Sequence, residues 1–390
     1  MKYSSLIDRV SGSTADVWDS HYAAVEAGKN GEDVIILSVG DPDFATPAAV
    51  IEAATDAMNG GDTHYTSIKG NNALRSCIAE RHQQSSGQVV DLNNVIITSG
   101  AQNALFGVTQ CISEAPDEII VLQPMYVTYE ATIQATGAKL VPVVLDVESG
   151  FSLDIEKLKA AISANTRAIY FATPSNPTGI TLKQYELMAI AELAIEHDLW
   201  VVSDEVYKDF VFDNEFHHIA SLPGMAERTV TIGSMSKSYA MSGWRVGWAI
   251  APAGLVDNLE KLALCMLYGL PGFIQQASLY ALLNCEQDML DMREIYQRRR
   301  DLLVDKFSAI PGLKALKPDA GMFLMVDVRG TGLSAPEFVK QLYDQTRVSV
   351  LDATAFGASA AGFVRVSYTV EDSLLDDAMK RIACFIESRR

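Results

Sequence analysis

The sequence predicts an α/β fold, with a large domain built on a mostly parallel, seven-stranded sheet and a smaller α/β domain. Between about residues 47 and 280, seven short runs rich in Val, Ile and Leu alternate with segments of helical length. Continuous apolar runs of this kind are typical of parallel strands that helices cover on both faces. After about residue 285 the pattern changes to a long charged segment followed by further β-rich runs.

The large sheet is assigned from the seven runs upstream of this change. Helical segments such as LKQYELMAIAELAIEHD (182–198) separate several of the runs, as the crossovers between parallel strands require. The runs are VIITSG (95–100), EIIVLQP (118–124), KLVPVVL (139–145), RAIYFATP (167–174), WVVSDEV (200–206), TVTIGSM (229–235) and WRVGWAIA (244–251).

The smaller domain is assigned to the downstream part of the chain. It begins with a charged helix in MLDMREIYQRRRDLLVDKF (289–307). Strands are then expected in GMFLMVDV (321–328), VSVLDA (348–353) and GFVRVSYT (362–369), followed by a final helix. We expect the N-terminal segment to pack with this part, leaving a site between the two domains. The predicted division is a large domain over 46–283 and a small domain over 1–45 and 284–390.

Composition narrows the classes of protein to consider. The chain has 31 basic and 49 acidic residues, a net charge of −18, which argues against nucleic acid or anionic membranes as partners. No apolar run approaches the roughly 20 residues of a membrane span, and no secretory signal is visible, so we expect a cytoplasmic protein. Its five cysteines are far apart and form no C-x-x-C pair, which favours reduced thiols over disulfides or a metal site.

The densest group of reactive residues is SMSKSYAMSGWRVGW (234–248). Here Lys237 follows the end of an apolar run, and Ser234, Ser236 and Arg245 surround it in sequence. Hydroxyl and guanidinium donors suit a phosphate dianion, and a lysine beside a dianion and an aromatic carbonyl suits a Schiff base. A single lysine near a loop is usually a solvated charge, so the prediction depends on the whole stretch.

Two other strand ends carry polar residues, where open α/β sheets bind ligands. TSGAQNAL (98–105) ends a strand and starts a helix, so backbone N–H groups around Gly100, Ala101 and Gln102 can bind a phosphate. Asp204 ends another apolar run, where an unpaired carboxylate is costly. The alternatives are an ordinary helix start for the first and an N-cap for Asp204.

Eight motifs, in order along nearly the whole chain, resemble those of the class I/II aminotransferases, which are fold-type I pyridoxal-phosphate enzymes. Each motif alone is weak evidence, but eight in the same order are specific. They are SVGDPDF (38–44), HYTSIKGNNALR (64–75), TSGAQNAL (98–105), PMYVTY (124–129), ATPSNPTG (172–179), SDEVY (203–207), the stretch around Lys237 and FVRVSY (363–368).

The resemblance implies pyridoxal 5′-phosphate (PLP) as the cofactor and a role for each matching residue. Lys237 would hold PLP as a Schiff base and later move a proton, while Asp204 would pair with the pyridinium nitrogen. Tyr207 and Asn176 would donate to the phenolic oxygen, and Tyr126 would stack on the ring. Read without the family, Asn176 also suits a turn and Tyr126 also suits a core.

Substrate and subunit contacts are implied in the same way. Arg365 would bind the substrate α-carboxylate, with Asn176 and Gly40 beside it, since glycine permits close backbone approach. Tyr65 resembles a residue that reaches the phosphate in the neighbouring subunit. The resemblance therefore implies a homodimer with shared active sites.

Two further stretches of sequence and three acidic residues bear on the identity of the substrate. LALCMLYG (262–269) and GLSA (332–335) are similar to bacterial transaminases that act on arginine and pyruvate, so we expect a basic amino acid as donor and pyruvate as acceptor. Glu130, four residues after Tyr126 in a predicted helix, is the candidate partner for a guanidinium, and Asp16 and Asp19 are further candidates. A surface role for Glu130 and a neutral or aromatic substrate are the alternatives.

Two rival functions remain at the level of sequence. One is another reaction on the same cofactor, such as that of a PLP-dependent lyase, since the same residues serve both. The other is a binding or regulatory module, which the acidic composition and the missing basic helix-turn-helix disfavour. The residues therefore predict an aminotransferase, with the lyase as the main alternative.

Overall fold

The part of the chain that this computed structural model describes is residues 1–11 and 15–389, without the side chains of residues 15 and 16. Its strands are β1 (Ile35–Ile36), β2 (Val95–Thr98), β3 (Glu118–Gln123), β4 (Lys139–Val144), β5 (Thr166–Ala172), β6 (Trp200–Asp204), β7 (Thr229–Ser234), β8 (Gly247–Ile250), β9 (Lys314–Leu316), β10 (Phe323–Asp327), β11 (Val348–Ser349), β12 (Leu351–Asp352) and β13 (Phe363–Ser367). Its α-helices are α1 (Ser5–Val10), α2 (Asp19–Lys29), α3 (Ala48–Asn59), α4 (Asn72–Ser86), α5 (Ala101–Ile112), α6 (Thr128–Ala135), α7 (Ile155–Ala161), α8 (Gln184–Glu196), α9 (Ala253–Met266), α10 (Gly272–Asn284), α11 (Glu286–Ser308), α12 (Ala335–Thr346) and α13 (Asp372–Glu387).

The seven predicted runs form one seven-stranded sheet, with strand order β2-β8-β7-β6-β5-β3-β4. Neighbours from β4 to β7 are parallel, whereas β8 runs antiparallel to both β2 and β7. The prediction of a mostly parallel seven-stranded sheet is therefore confirmed.

Helices cover both faces of this sheet, as its apolar strands require. On one face, α5, α6 and α9 bury side chains such as Leu105, Ile133 and Leu259 against the strands. On the other face, α7 and α8 bury side chains such as Leu158 and Ile190. Both faces of the central strands are thereby removed from water, which is the main apolar contribution to stability.

The C-terminal part forms a second, antiparallel sheet with the order β12-β13-β10-β9. The N-terminal segment joins it, because β1 pairs in parallel with β11, and the Ser367 N–H donates to the Leu37 carbonyl. This pairing is the contact expected between the two ends of the chain. The division into domains over 46–283 and over 1–45 with 284–390 stays a prediction.

Strand direction determines where the functional residues meet. Strands β5, β6 and β7 are parallel, so Ala172, Asp204 and Ser234 end at the same edge of the sheet. The first turn of α5 starts at that edge as well, directly after β2. Among the described residues, no helix combines the length and the apolar character that crossing a membrane would need.

Candidate active site

Ten of the predicted site residues line one cavity at this edge of the sheet. Together with Leu105, Ala172, Val206 and Ser242, its walls are Ala101, Gln102, Tyr126, Asn176, Asp204, Tyr207, Ser234, Ser236, Lys237 and Arg245. They come from strand ends, the start of α5 and the segment after β7, which are far apart in the sequence. The structure therefore brings together most of the group that the sequence singled out.

Lys237 lies in the turn that follows β7, with its amine directed toward the N-terminal segment. Its Nζ donates a hydrogen bond to the Gly40 carbonyl at 2.7 Å. Burial lowers the pKa of Lys237 to about 8, with smaller lowering by Arg365 and Arg245 and an opposing effect of Asp41. An amine with such a pKa is partly unprotonated near neutral pH, as a nucleophile or general base must be.

One corner of the cavity collects donors for an anion. Gly100 is the N-cap of α5 with φ 81°, a left-handed conformation that suits glycine, and its missing Cβ leaves space for the Arg245 guanidinium. The free N–H groups of the first turn of α5 point to the same corner. Ser234 and Ser236 lie close by, with their hydroxyl oxygens 2.9 Å apart. These donors fit a phosphate dianion.

Asp204 is buried at the end of β6 and accepts a hydrogen bond from a residue of α6. The Tyr129 hydroxyl donates to Asp204 Oδ2 at 2.8 Å, and the Val206 N–H donates to Oδ1 at 3.3 Å. Burial raises the pKa of Asp204 to about 6, and these two hydrogen bonds limit the rise. A buried carboxylate with this environment needs a cationic partner, and a pyridinium nitrogen in the cavity would supply one.

Arg365 is a buried guanidinium without an acidic partner among the described residues. Its Nη1 donates to Asn176 Oδ1 at 2.9 Å and its Nη2 to the Ser38 carbonyl at 2.6 Å, whereas Nε has no hydrogen-bond partner. The rings of Phe323 and Phe356 lie 4.2 and 4.9 Å from its central carbon. Burial lowers the pKa of Arg365 to about 10. An uncompensated buried cation of this kind fits a substrate carboxylate.

The two predicted tyrosines of the cavity differ in their surroundings. Tyr207 is buried and packs its ring against Phe323, and burial raises its pKa well above the ordinary value. Tyr126 is partly exposed and contacts the ring of Tyr129 edge to face, with centroids 5.9 Å apart. Both are therefore protonated hydroxyl groups at neutral pH, able to donate a hydrogen bond or to stack.

The structure does not bring Glu130 and Tyr65 to this cavity. Glu130 Oε1 accepts from Gln134 Nε2 at 3.2 Å within α6. The expectation that Tyr126 and Glu130 share one helical face is wrong, because α6 begins only at Thr128. Tyr65 is 86% exposed in a loop and packs on Tyr268. Its contact with a neighbouring subunit stays a prediction.

The other acidic candidates gain no support. Asp19 starts α2 and is exposed, and the side chain of Asp16 lies outside the described residues.

Three residues at the site escaped the sequence-based prediction. Tyr129 was part of a quoted motif, but a buried tyrosine in a helix has the pattern of an ordinary core residue. Asp41 follows Gly40 and acts on the charge of Lys237. His21 accepts or donates a hydrogen bond with Ser38 Oγ at 2.9 Å, beside the carbonyl that binds Arg365. Asp41 lies in the quoted motif SVGDPDF (38–44), whereas no local signal distinguishes His21, which only the fold places here.

Comparison with known proteins shows similarity along almost the entire chain. A family model described as aminotransferase class I and II matches residues 32–382. An arginine–pyruvate transaminase of Pseudomonas aeruginosa is 50% identical over 383 residues, covering 98% of each protein. An aspartate aminotransferase of Pyrococcus horikoshii is 34% identical over 361 residues, covering 92% of each. The solved structure of the aspartate aminotransferase from Thermus thermophilus with maleate superposes with a TM-score of 0.93 at 32% identity, covering 99% of this chain and 100% of the other.

Proposed function

Because this chain belongs to the class I and II aminotransferase family, whose members transfer amino groups to 2-oxo acids, we propose that it works with PLP bound in the cavity around Lys237. The observation that carries the proposal is that a lysine of lowered pKa, a buried aspartate and a buried arginine surround one cavity, and that no acidic side chain of the described residues pairs with this arginine. When bound, PLP supplies an electron sink for the electrons released at the substrate Cα.

Different residues of the chain are proposed to bind different parts of the cofactor. Lys237 is the proposed attachment point of the cofactor. The corner formed by Gly100, the first turn of α5 and Arg245 is proposed to bind the phosphate, with Ser234 and Ser236. Asp204 is proposed to hold a proton on the ring nitrogen, because its buried carboxylate is stabilised most by a cation.

Proton transfer at the substrate is assigned to Lys237. Arg365 and Asn176 are proposed to bind the substrate α-carboxylate, which would hold the Cα near Lys237 Nζ. The Gly40 carbonyl orients that nitrogen through the 2.7 Å hydrogen bond. With a pKa of about 8, the Lys237 amine would be able to accept the proton that leaves the substrate Cα.

The proposed substrates are arginine, or another basic amino acid, as donor and pyruvate as acceptor. Support comes from the Pseudomonas aeruginosa relative, whose name gives this pair of substrates and which is 50% identical. Other relatives at 34–36% identity are named for aspartate or aromatic amino acids. A neutral or aromatic donor is therefore the alternative that an assay must exclude.

We also propose a homodimer whose two active sites are shared. In the single chain, Tyr65 and Tyr268 are exposed aromatic residues in contact with each other, with 86% and 51% exposure. Large exposed apolar groups mark interaction surfaces, and a two-fold dimer would cover the pair. In this arrangement Tyr65 would reach the phosphate site of the neighbouring subunit.

Two measurements on the holoenzyme test the proposed function. Borohydride reduction followed by peptide mass analysis should find the cofactor on Lys237, and trapping on another lysine would overturn the attachment site. Amino acids are then assayed with pyruvate and with 2-oxoglutarate, and arginine with pyruvate should give the highest kcat/KM. Negligible turnover of arginine would refute the donor assignment alone, whereas ammonia released without any 2-oxo acid would indicate the lyase alternative.

A further inference from the structure

Two backbone carbonyls of the site lie in one short segment, residues 38–44, which connects β1 to α3. The Ser38 carbonyl accepts a hydrogen bond from Arg365 at 2.6 Å, and the Gly40 carbonyl accepts one from Lys237 at 2.7 Å. The segment belongs to no helix or strand. The contacts at its two ends therefore decide where these carbonyls point.

A buried arginine of α11 holds the far end of this segment. Nη1 of Arg299 lies 3.0 and 2.9 Å from the two carboxylate oxygens of Asp43, and the Tyr296 hydroxyl donates to Asp43 Oδ1 at 3.2 Å. The guanidinium lies 5.8 Å from the ring centroids of both Phe44 and Tyr296, and only 7% of the Arg299 side chain is exposed. Because these rings keep water away, the ion pair is stronger than one at the surface.

The same guanidinium contacts the chain directly after β13, the strand that carries Arg365. Its Nη1 donates to the carbonyl of Tyr368, three residues after Arg365, at 3.2 Å, and its Nε donates to Asp372 Oδ1 at 2.8 Å. A planar guanidinium directs donors to several acceptors at once, which a lysine amine does not. Arg299 therefore joins the far end of the 38–44 segment to the C-terminal end of β13.

The near end of the segment is bound to the same part of the chain by hydrogen bonds. The Ser367 N–H donates to the Leu37 carbonyl at 2.8 Å, and the Thr369 hydroxyl donates to the Val39 carbonyl at 3.4 Å. Without the ion pair, only this near end stays fixed. The Gly40 carbonyl is then free to move relative to β13.

We propose that Asp43 and Arg299 are positioning residues, which hold the 38–44 segment on β13 and thereby fix the separation between the Lys237 amine and the Arg365 guanidinium. Neither Asp43 nor Arg299 lines the cavity around Lys237, so both act through residues that the segment and β13 carry. The part that concerns Lys237 and Arg365 rests on the proposed function. The hold on the segment concerns the protein with or without cofactor.

This separation matters because the two groups act on the same substrate molecule. An amino acid bound by its carboxylate at Arg365 presents its Cα to Lys237 only when the two side chains are correctly spaced. A misplacement of about 1 Å can cost roughly a hundredfold in rate. Loss of the ion pair is therefore expected to slow the reaction more than it weakens binding.

The hold is tested first by urea unfolding, which does not depend on the reaction. Asp43→Ala, Arg299→Met and the double variant are compared with the wild type. The double variant should lose less in unfolding midpoint than the sum of the two single losses, because either single change already breaks the pair. Additive losses would show that the two side chains do not act together and would overturn the proposal.

Positioning is tested by kcat and KM per active site, with the sites counted from bound cofactor. Asp43→Ala should lower kcat roughly ten- to a hundredfold and change KM by less than about threefold, since Arg365 still binds the carboxylate. Asp43→Asn keeps an oxygen that accepts from Arg299 and should recover part of kcat. A lowered unfolding midpoint with unchanged kcat would mean that the pair is purely structural, and would overturn the proposal.

Arg298→Met is the matched control. Arg298 is the preceding residue of α11 and lies 2.7 Å from Asp372 Oδ2, but it pairs with no described residue of the 38–44 segment. Its replacement should leave kcat unchanged. If it lowers kcat as far as Asp43→Ala does, weaker packing of α11 on α13 explains both losses, and the proposal fails.

If Asp43→Ala does not fold, Arg299→Lys takes its place in the kinetic test. This change keeps the charge and removes the planar donors, so kcat should again fall with little change in KM. Unchanged kcat in Arg299→Lys would then overturn the proposal. Trapping of the cofactor on another lysine would refute the proposed function and leave the unfolding result standing, whereas a normal adduct on Lys237 with unchanged kcat in these variants refutes this inference alone.

Discussion

At the scale of single residues, Arg365 is the most informative feature of the site. Lysines and arginines are rarely buried without a partner, yet this guanidinium contacts an amide oxygen, a carbonyl and two rings instead of a carboxylate. The orphaned Nε leaves a donor for a ligand oxygen. Such an arrangement favours anion binding over protein stability.

Replacing Arg365 with lysine keeps the positive charge but removes the planar set of donors. We expect kcat/KM to fall by about 2–4 kcal/mol, or roughly 30- to 900-fold, for every amino acid donor. Arg167→Lys makes the same change at a half-exposed arginine, which pairs with Asp117 away from the cavity, and should leave kcat/KM unchanged. A loss confined to one amino acid would mean that Arg365 contacts the substrate side chain rather than the carboxylate.

The residues proposed to carry the chemistry are also the ones that the sequence could single out. Lys237, Asp204 and Arg365 each stand out because a charge follows or interrupts an apolar run, and all three lie at the site. Tyr129 and His21 act through one hydrogen bond each, and a tyrosine or histidine in a helix carries no local sign of its distant partner. Glu130 was assigned from helical spacing, which failed because the helix starts two residues after Tyr126.

At the scale of elements, the runs of Val, Ile and Leu predicted all seven strands of the large sheet. The direction of β8 was not predictable, because a buried strand has the same apolar pattern whether it runs parallel or antiparallel to its neighbours. The short strands β1 and β11 were also missed as a pair, since two-residue strands depend on distant backbone partners. Local pattern thus predicts which segments are strands, and tertiary contact decides how they pair.

The segment after β1 shows how one element shapes the site through a missing side chain. A Cβ on Gly40 would overlap the ring of Phe323, which packs on both Arg365 and Tyr207. Gly40→Ala should therefore displace that ring and lower kcat/KM at least tenfold, while the cofactor remains attached. Gly254→Ala, where a Cβ meets open space in α9, is the matched control. Unchanged kinetics in Gly40→Ala would show that the ring relocates without cost to the site.

At the scale of the whole molecule, a dimer with shared sites predicts that two inactive variants restore activity when mixed, which a monomeric enzyme would not show. Lys237→Ala and Tyr65→Asp homodimers should each be inactive, because one lacks the reacting amine and the other places a negative charge at the phosphate. Mixed and exchanged, they form hybrid dimers in which one site combines an intact Lys237 with an intact Tyr65 from the other subunit. Activity should return to at most about a quarter of the wild type for random exchange.

The control measures subunit exchange directly, by placing an affinity tag on one variant and quantifying the singly tagged hybrid dimers. If the Lys237→Ala and Tyr65→Asp mixture stays inactive while exchange is complete, Tyr65 serves the site of its own chain. A sedimentation experiment that finds only monomers would contradict the shared sites altogether.

The hydrogen bonds that assemble the site join residues very far apart in the chain. Lys237 Nζ and the Gly40 carbonyl are separated by 197 positions, and Arg365 and the Ser38 carbonyl by 327. During synthesis on the ribosome, Arg365 emerges long after the strands of the large sheet are able to pair. A nascent chain can therefore acquire its central sheet and still lack a substrate site, so substrate binding, unlike secondary structure, reports that synthesis has passed β13.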